Sequence, residues 1–225
     1  MEKTEYPKIN SLYKRDPEKG NNIILGDFSL PEFFYLKDLL RECTEKIDGT
    51  NTRIFFDGHT VSFGGRTDKA QMPVTLMEKL HELFTIEKLQ AAFPERDGEQ
   101  PEVTLYGEGY GARIQAGGGN YIPDGVDFIL FDVKVGEWWL SRDACKKIAE
   151  TLGIRIVPLI GNFTLAEAEQ VVKQGFKSVI ARQEREAEGL VCKPGFGLKL
   201  RNGQRIITKI KTADYRKLAA FEARK

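Results

Sequence analysis

The stretch Thr44-Glu45-Lys46-Ile47-Asp48-Gly49-Thr50-Asn51 places one lysine between an apolar-ended segment and a tight polar turn. Asp48-Gly49 is a strong turn signal, and the chain resumes after it as a predicted strand from Thr52 to Phe56. A lysine held in this way is a candidate nucleophile, provided that nearby positive charge or desolvation favours its neutral amine. The alternative is a surface hairpin that carries an ordinary solvated lysine. Lys46 is therefore the first candidate catalytic residue.

The composition indicates a globular protein with room for one substantial core. The 225 residues are 41% hydrophobic and 30% charged, and no apolar run approaches the ~20 residues of a membrane-spanning helix. The polar N-terminus, Met1-Glu2-Lys3-Thr4-Glu5, lacks the pattern of a signal peptide. Cys43, Cys145 and Cys192 are widely spaced, which predicts neither a disulfide framework nor a zinc site. We expect a cytoplasmic protein that has no membrane partner.

Strand and helix patterns alternate along the chain without an internal repeat. Residues 1–28 are polar and are expected to form an arm with short strands, and Ser29 predicts the start of a helix that runs through Leu40. The segment from Val74 to Phe93 has helical spacing for one helix or two. Further strands are predicted at 52–56, 59–63, 103–106, 128–133 and 154–159, and further helices at 141–152 and 164–174. These patterns predict an α+β domain of packed antiparallel sheets with flanking helices.

Six short motifs resemble, in the same order, those of the covalent nucleotidyltransferases, which include ATP-dependent DNA ligases, RNA ligases and mRNA-capping enzymes. The first is Lys46-x-Asp48-Gly49-x-Asn51. The others are Arg66, Tyr106-Gly107-Glu108, Phe131-Asp132, Glu188-Gly189-Leu190-Val191-Cys192-Lys193 and Lys209-x-Lys211. DNA ligases and capping enzymes usually carry arginine at the position of Asn51. With Glu45 before the lysine, the first motif is similar to that of RNA ligase family 2, which seals nicks in double-stranded RNA.

The resemblance implies an ATP-grasp-like ligase fold and a role for each motif. Lys46 would attack the α-phosphorus of ATP and carry AMP covalently. Glu188, together with Asp132, would hold Mg²⁺ or Mn²⁺. The implied contacts to the cofactor are Glu45 with adenine, Glu108 with the ribose, Phe131 stacked on the base, Glu188 through the metal, Lys209 and Lys211 on the α-phosphate, and Asn51 and Arg66 at the phosphate and RNA end.

Several of these residues also have a plain structural interpretation. Lys209 and Lys211 lie on one face of a predicted strand and can form a solvated edge. Glu108 can be a turn carboxylate, and Phe131 can be a core residue. Asp132 lies in an apolar strand, so it needs a partner, and that partner can be structural.

The chain ends about fourteen residues after Lys211. The resemblance therefore leaves no room for the OB-fold or helical module that ligases and capping enzymes append after the last motif. We expect a single nucleotidyltransferase domain over residues 1–225, which is either a minimal ligase or a truncated form.

The resemblance implies an ATP-dependent RNA ligase for RNA repair, which joins a 3′-hydroxyl to a 5′-phosphate through lysyl-AMP and RNA-adenylate intermediates. The alternatives are a DNA ligase, a capping-type nucleotidyltransferase, and an RNA-binding module with a vestigial nucleotide pocket. Whether the RNA ends belong to a nicked duplex or a single strand stays open, as does the oligomeric state.

Positive charge is concentrated in the last quarter of the chain. Residues 173–225 carry fourteen Lys and Arg against five Asp and Glu, although the whole chain has a net charge of only +1. Such a segment is suited to a polyanion, but clusters of this kind are more often a solvated surface unless they lie beside a reactive centre. The candidate contacts to an RNA backbone are Arg182, Arg185, Lys199, Arg201 and Arg205.

Overall fold

The computed structural model describes residues 4–223, which divide into two compact units. One unit, here the Asp48 unit, comprises residues 4–6, Asp48–Val157 and Ala181–Gln183. The other, the Lys46 unit, comprises Pro7–Ile47, Pro158–Ile180 and residues 184–223. The expectation of a single domain over residues 1–225 stays a prediction.

The described residues form strands and helices throughout both units. The strands are β1 (Asn10–Ser11), β2 (Tyr13–Asp16), β3 (Asn22–Phe28), β4 (Arg41–Glu45), β5 (Thr50–Phe56), β6 (Val61–Gly64), β7 (Val103–Gly111), β8 (Val126–Val135), β9 (Trp138–Trp139), β10 (Arg155–Ile156), β11 (Leu159–Phe163), β12 (Gly189–Lys193) and β13 (Thr208–Lys211). The helices are α1 (Pro31–Tyr35), α2 (Val74–Leu83), α3 (Ile86–Ala92), α4 (Arg142–Leu152), α5 (Leu165–Gln174) and α6 (Thr212–Glu222). A short 3₁₀ turn covers Gly118–Asn120.

The Lys46 unit is built on a sheet of order β1-β13-β12-β4-β11. β12 runs antiparallel to both β13 and β4, whereas β1 runs parallel to β13. Alternation along the strands buries one face: Cys43, Leu190 and Ile210 pack into a core with Leu165 and Val172 of α5. The opposite face of these strands is left for polar side chains.

The Asp48 unit is built on a sheet of order β10-β8-β7-β5-β6, with β9 added to β8. Its neighbours are antiparallel except for β10, which runs parallel to β8. Ile54, Leu105 and Leu130 are fully buried on one face, against Leu80 of α2 and Ala149 of α4. The fold is thus mixed α and β with several antiparallel sheets, as the sequence predicts. The two parallel pairs were not predicted.

The predicted helix after Ser29 is wrong in its bounds. Leu30 precedes the first helical turn without a side-chain cap, and α1 ends at Tyr35 rather than near Leu40. The buried guanidinium of Arg41 donates hydrogen bonds to the carbonyl oxygens of Leu36 (2.7 Å) and Leu39 (2.6 Å). Those bonds hold the chain in a non-helical path that leads into β4.

The helical pattern from Val74 to Phe93 forms two helices, α2 and α3. The hydroxyl of Thr85 accepts a hydrogen bond from the backbone N–H of Lys88 and caps the second helix. The strand predicted at 154–159 is also divided, because β10 pairs with β8 in the Asp48 unit and β11 pairs with β4 in the Lys46 unit.

In the described part of the chain, no helix is both long enough and apolar enough to cross a membrane. The expected cytoplasmic location stays a prediction.

Candidate functional site

The side chain of Lys46 shares one carboxylate with a second lysine. Lys46 Nζ lies 2.6 Å from Glu188 Oε2, and Lys211 Nζ lies 2.8 Å from Glu188 Oε1. The side chains of Lys46, Glu188 and Lys211 are 21%, 16% and 33% exposed, so the group is half-buried but accessible. Three segments that are distant in sequence thus meet at one cluster, here called the Lys46 cluster.

Backbone contacts at the ends of β4, β12 and β13 position this cluster. The N–H of Lys46 donates to the carbonyl oxygen of Gly189 (2.9 Å), and Gly189 is paired directly with Lys211. Gly189 has φ +145°, and a Cβ at this position would lie 2.0 Å from the carbonyl oxygen of Ile210. Only glycine therefore lets the chain enter β12 so close to β13, which places Glu188 beside Lys211.

The two lysines determine the protonation of Glu188. Burial alone would raise its pKa, but the charges and hydrogen bonds of Lys46 and Lys211 outweigh that effect and hold the pKa below the ordinary value of 4.5. Glu188 is therefore ionised at neutral pH. The cluster carries a net positive charge, which suits it to an anion such as a phosphate group.

Register places more lysines on the face that carries Lys46. Directly paired residues, and residues two apart on a strand, lie on the same face. Val191 pairs with both Thr44 and Lys209, and Lys193 pairs with Glu42. The polar face opposite the core thus carries four lysines, and it is called the lysine face below: Lys46, Lys193, Lys209 and Lys211.

Glu45 precedes Lys46, and strand alternation places its side chain on the opposite, buried face of β4. It is 1% exposed. Its carboxylate accepts hydrogen bonds from the hydroxyl of Ser178 and from the backbone N–H of Val179, the latter at 2.9 Å. Burial raises the pKa of Glu45, although these hydrogen bonds and the charge of Arg185 reduce the shift. Glu45 thus holds the segment around Ser178, and its contact with adenine stays a prediction.

Three predicted site residues share one face of the sheet in the Asp48 unit. Asn51 pairs directly with Glu108, and Tyr106, two residues before Glu108, pairs with Asp132. This face lies opposite the apolar one, which carries Leu105. Oδ1 of Asn51 is buried and has no hydrogen-bond partner among residues 4–223. An additional donor, such as a ligand, could satisfy it.

Arg66 lies on an exposed turn of the Asp48 unit. Arg53 is fully buried and anchors that turn, donating to the carbonyl oxygen of Gly65 (2.7 Å) and to Asp68 Oδ1 (2.8 Å). Sequence analysis did not single out Arg53, because nothing in the local pattern of β5 shows that this arginine is buried. The role of Arg66 at the phosphate and RNA end stays a prediction.

Tyr6 is a residue that sequence analysis missed. Its hydroxyl donates to Asp132 Oδ2 at 2.9 Å, and its ring meets Phe131 edge-on with centroids 5.0 Å apart. The same ring lies 5.1 Å from Tyr106 and 5.7 Å from Trp139. The only available signal was a lone aromatic residue in a polar segment. The stacking role predicted for Phe131 is not tested by this geometry.

The two predicted metal ligands lie in different units, Glu188 in the Lys46 unit and Asp132 in the Asp48 unit. Within residues 4–223, no group of three or more His, Cys, Asp or Glu side chains could hold a metal ion. Mg²⁺ is commonly held by one or two carboxylates together with substrate phosphates and water. The half-buried carboxylate of Glu188 fits that mode, whereas Asp132 is fully buried beside Tyr6.

Comparisons with protein-family models and with solved structures both found matches. A family model described as RNA ligase matches residues 42–211. Naegleria gruberi RNA ligase with PPi matches with a TM-score of 0.63 at 20% identity, over 96% of this chain and 60% of that one. A mutant of the same ligase with ATP and Mn matches with a TM-score of 0.64 at 20% identity, over 96% and 63%.

At these identities the structural matches show the fold alone. The chain spans about 60% of the length of the first of these solved structures. A comparison with curated protein sequences found no match.

Replacing Glu188 by glutamine should change how stability depends on pH. Because the folded pKa of Glu188 is lowered, its carboxylate stabilises the fold above the ordinary value of 4.5, and that contribution is lost as the pH falls through the lowered pKa. Wild type should therefore be more stable than Glu188→Gln at neutral pH, and the two should converge in acid. Urea unfolding at a series of pH values measures this, and a difference that stays constant into acid would contradict it.

Replacing Tyr6 by phenylalanine should destabilise the Asp48 unit while keeping the ring contacts. The variant removes one hydrogen-bond donor from the buried carboxyl group of Asp132, which costs about 1–3 kcal/mol. The matched control is Tyr35→Phe, because Tyr35 is 81% exposed. Urea unfolding should separate the two variants, and equal stabilities would show that the Tyr6 hydroxyl has no structural role.

Proposed function

Because the chain belongs to the RNA ligase family, we propose that it is an ATP-dependent RNA ligase with a nucleotidyltransferase fold of the ATP-grasp-like type. The observation that carries the proposal is the Lys46 cluster, in which a candidate nucleophilic amine lies beside a carboxylate and a second cation. We further propose that residues 1–225 act as one cytoplasmic nucleotidyltransferase domain.

In the first step, Nζ of Lys46 attacks the α-phosphorus of ATP. A nitrogen–phosphorus bond forms, the bond to the pyrophosphate oxygen breaks, and lysyl-AMP results. The amine must first lose its proton. The cationic side chains of Lys211 and Lys209 stabilise the charge on the α-phosphate.

In the next two steps, AMP passes to the RNA and then leaves. An oxygen of the RNA 5′-phosphate attacks the phosphorus of lysyl-AMP, which frees Lys46 and leaves AMP on the RNA end. The 3′-hydroxyl of the second RNA end then attacks that 5′-phosphate and releases AMP. Asn51 and Arg66 are proposed to act at the phosphate and RNA end, with the buried Oδ1 of Asn51 as supporting geometry.

The remaining motif residues are proposed to bind the nucleotide. Glu108 would accept a hydrogen bond from the ribose, Phe131 would stack on adenine, and Glu45 would contact its edge. Glu188, with Asp132 as the second proposed ligand, would hold Mg²⁺ or Mn²⁺, and such an ion neutralises phosphate charge.

We propose a nicked RNA duplex as the substrate, because Glu45 and Asn51 flank the lysine as in RNA ligase family 2. RNA repair is the biological role that this substrate implies. The presence of asparagine instead of arginine in the first motif argues against a DNA ligase and against a capping enzyme.

Sealing assays with matched substrates test the proposal. The protein should seal a nicked RNA duplex that carries a 3′-hydroxyl and a 5′-phosphate, with ATP and not with GTP. Nicked DNA of the same sequence and single-stranded RNA should be sealed more slowly, as measured by denaturing gel electrophoresis. Sealing of DNA in preference to RNA would favour a DNA ligase. Labelling by GTP would favour a capping-type enzyme, and RNA binding without nucleotide transfer would leave only an RNA-binding module.

A further inference from the structure

The connection between β12 and β13 combines positive charge with an exposed aromatic ring. Between Gly189 and Ala213 the chain has six Lys and Arg residues and no Asp or Glu. Phe196 lies within this segment and is 69% exposed. It sits in a turn in which the N–H of Gly197, at φ +64°, donates to the carbonyl oxygen of Pro194 (3.2 Å). Residues 194–207 are called the basic hairpin below.

The basic hairpin is an ordered structure rather than a free loop. The N–H of Ile206 donates to the carbonyl oxygen of Leu198 (2.9 Å), and the N–H of Leu200 donates to that of Gln204 (2.7 Å). Leu198 and Leu200 pack against the core of the Lys46 unit. Lys199 and Arg201 are exposed, and neither has an ion-pair partner in the described part of the chain. Their charges are therefore available to a ligand.

The lysine face connects this hairpin to the Lys46 cluster. Lys211 and Lys209 lie at the cluster end of the face, and Lys193 lies where β12 enters the hairpin. Glu42 is the acidic residue that pairs with Lys193 on this face. Five residue steps separate Glu188 from Lys193, which corresponds to roughly 17 Å at the rise of a β-strand. A strip of four lysines thus leads from the Lys46 cluster to the start of the basic hairpin, which carries Phe196.

We propose that this strip is the track for an RNA strand, and that Phe196 stacks on an unpaired base of that strand. Cations along a strip contact phosphates, and an exposed aromatic ring offers a stacking platform for any base. This inference rests on the proposed function, because that function makes RNA the polyanion.

Phe196→Ala is the direct test. The probe is a single-stranded RNA with a 5′-phosphate, and binding is measured by fluorescence anisotropy without ATP or metal. Loss of one stacked base should weaken binding roughly 5- to 150-fold. The salt dependence should not change, since stacking releases no counterions. Phe196→Trp should keep the affinity, and the rate of protein-AMP formation should be that of wild type in both variants.

Arg201→Ala provides the contrasting variant. It should shallow the log-log dependence of affinity on salt by about 0.7, the value for one phosphate contact on a single strand, and it should also spare protein-AMP formation. Tyr35→Ala is the matched control, because Tyr35 is an aromatic residue of the same unit that is 81% exposed. That control should bind RNA as wild type does.

Three outcomes would overturn the inference. RNA affinity that is unchanged in Phe196→Ala would show that Phe196 does not stack on the RNA. A change of oligomeric state with unchanged RNA affinity would assign Phe196 to a contact between copies of the chain. Loss of protein-AMP formation in both Phe196 variants would show that the hairpin acts in the reaction with ATP rather than in RNA binding. Absence of protein-AMP in wild type would instead refute the proposed function, so the two failures are distinguishable.

Discussion

The ion pairs of one carboxylate with two lysines set the arrangement of the Lys46 unit's candidate site. Glu188 Oε2 lies 2.6 Å from Lys46 Nζ, and Glu188 Oε1 lies 2.8 Å from Lys211 Nζ. Without the carboxylate, two half-buried ammonium groups would face each other unpaired, which is unfavourable. The same arrangement leaves one excess positive charge. In the proposed function, this excess charge attracts the phosphate groups of the nucleotide.

The ends of β4, β12 and β13 position the Lys46 cluster. Alternation along the strands then determines on which face of its sheet each other motif residue lies. Lys46 and Glu45 are neighbours in sequence, yet alternation sends Lys46 to the lysine face and Glu45 into the buried face beside Ser178. The lysine face continues through Lys209 and Lys193 toward the basic hairpin. In the Asp48 unit, Asn51, Glu108 and Asp132 share one polar face by the same rule. Two sheets with one apolar face each thus account for where the motif residues lie.

Local patterns predicted part of this structure. The two lysines on one face of β13 and the capped helices α4 and α5 depend on neighbouring residues, so the sequence indicates them directly. The tight turn predicted at Asp48-Gly49 is wrong, because the chain only bends there between strands of two different sheets. The pairing of Lys46 with Glu188 joins residues 142 positions apart. Only the motif resemblance suggested that they meet. Arg41, which ends α1 early, and Tyr6, which bonds Asp132, act through tertiary contacts that no local pattern encodes.

The central claim is that Lys46 is the residue that receives the nucleotide. The most direct measurement incubates the protein with ATP labelled in its α-phosphate and with Mg²⁺ or Mn²⁺, then locates the label by peptide mass spectrometry. The account predicts AMP on Lys46 alone, through an acid-labile nitrogen–phosphorus bond, and no adduct on a folded Lys46→Ala variant. AMP on any other residue, or an adduct that persists in Lys46→Ala, would contradict it.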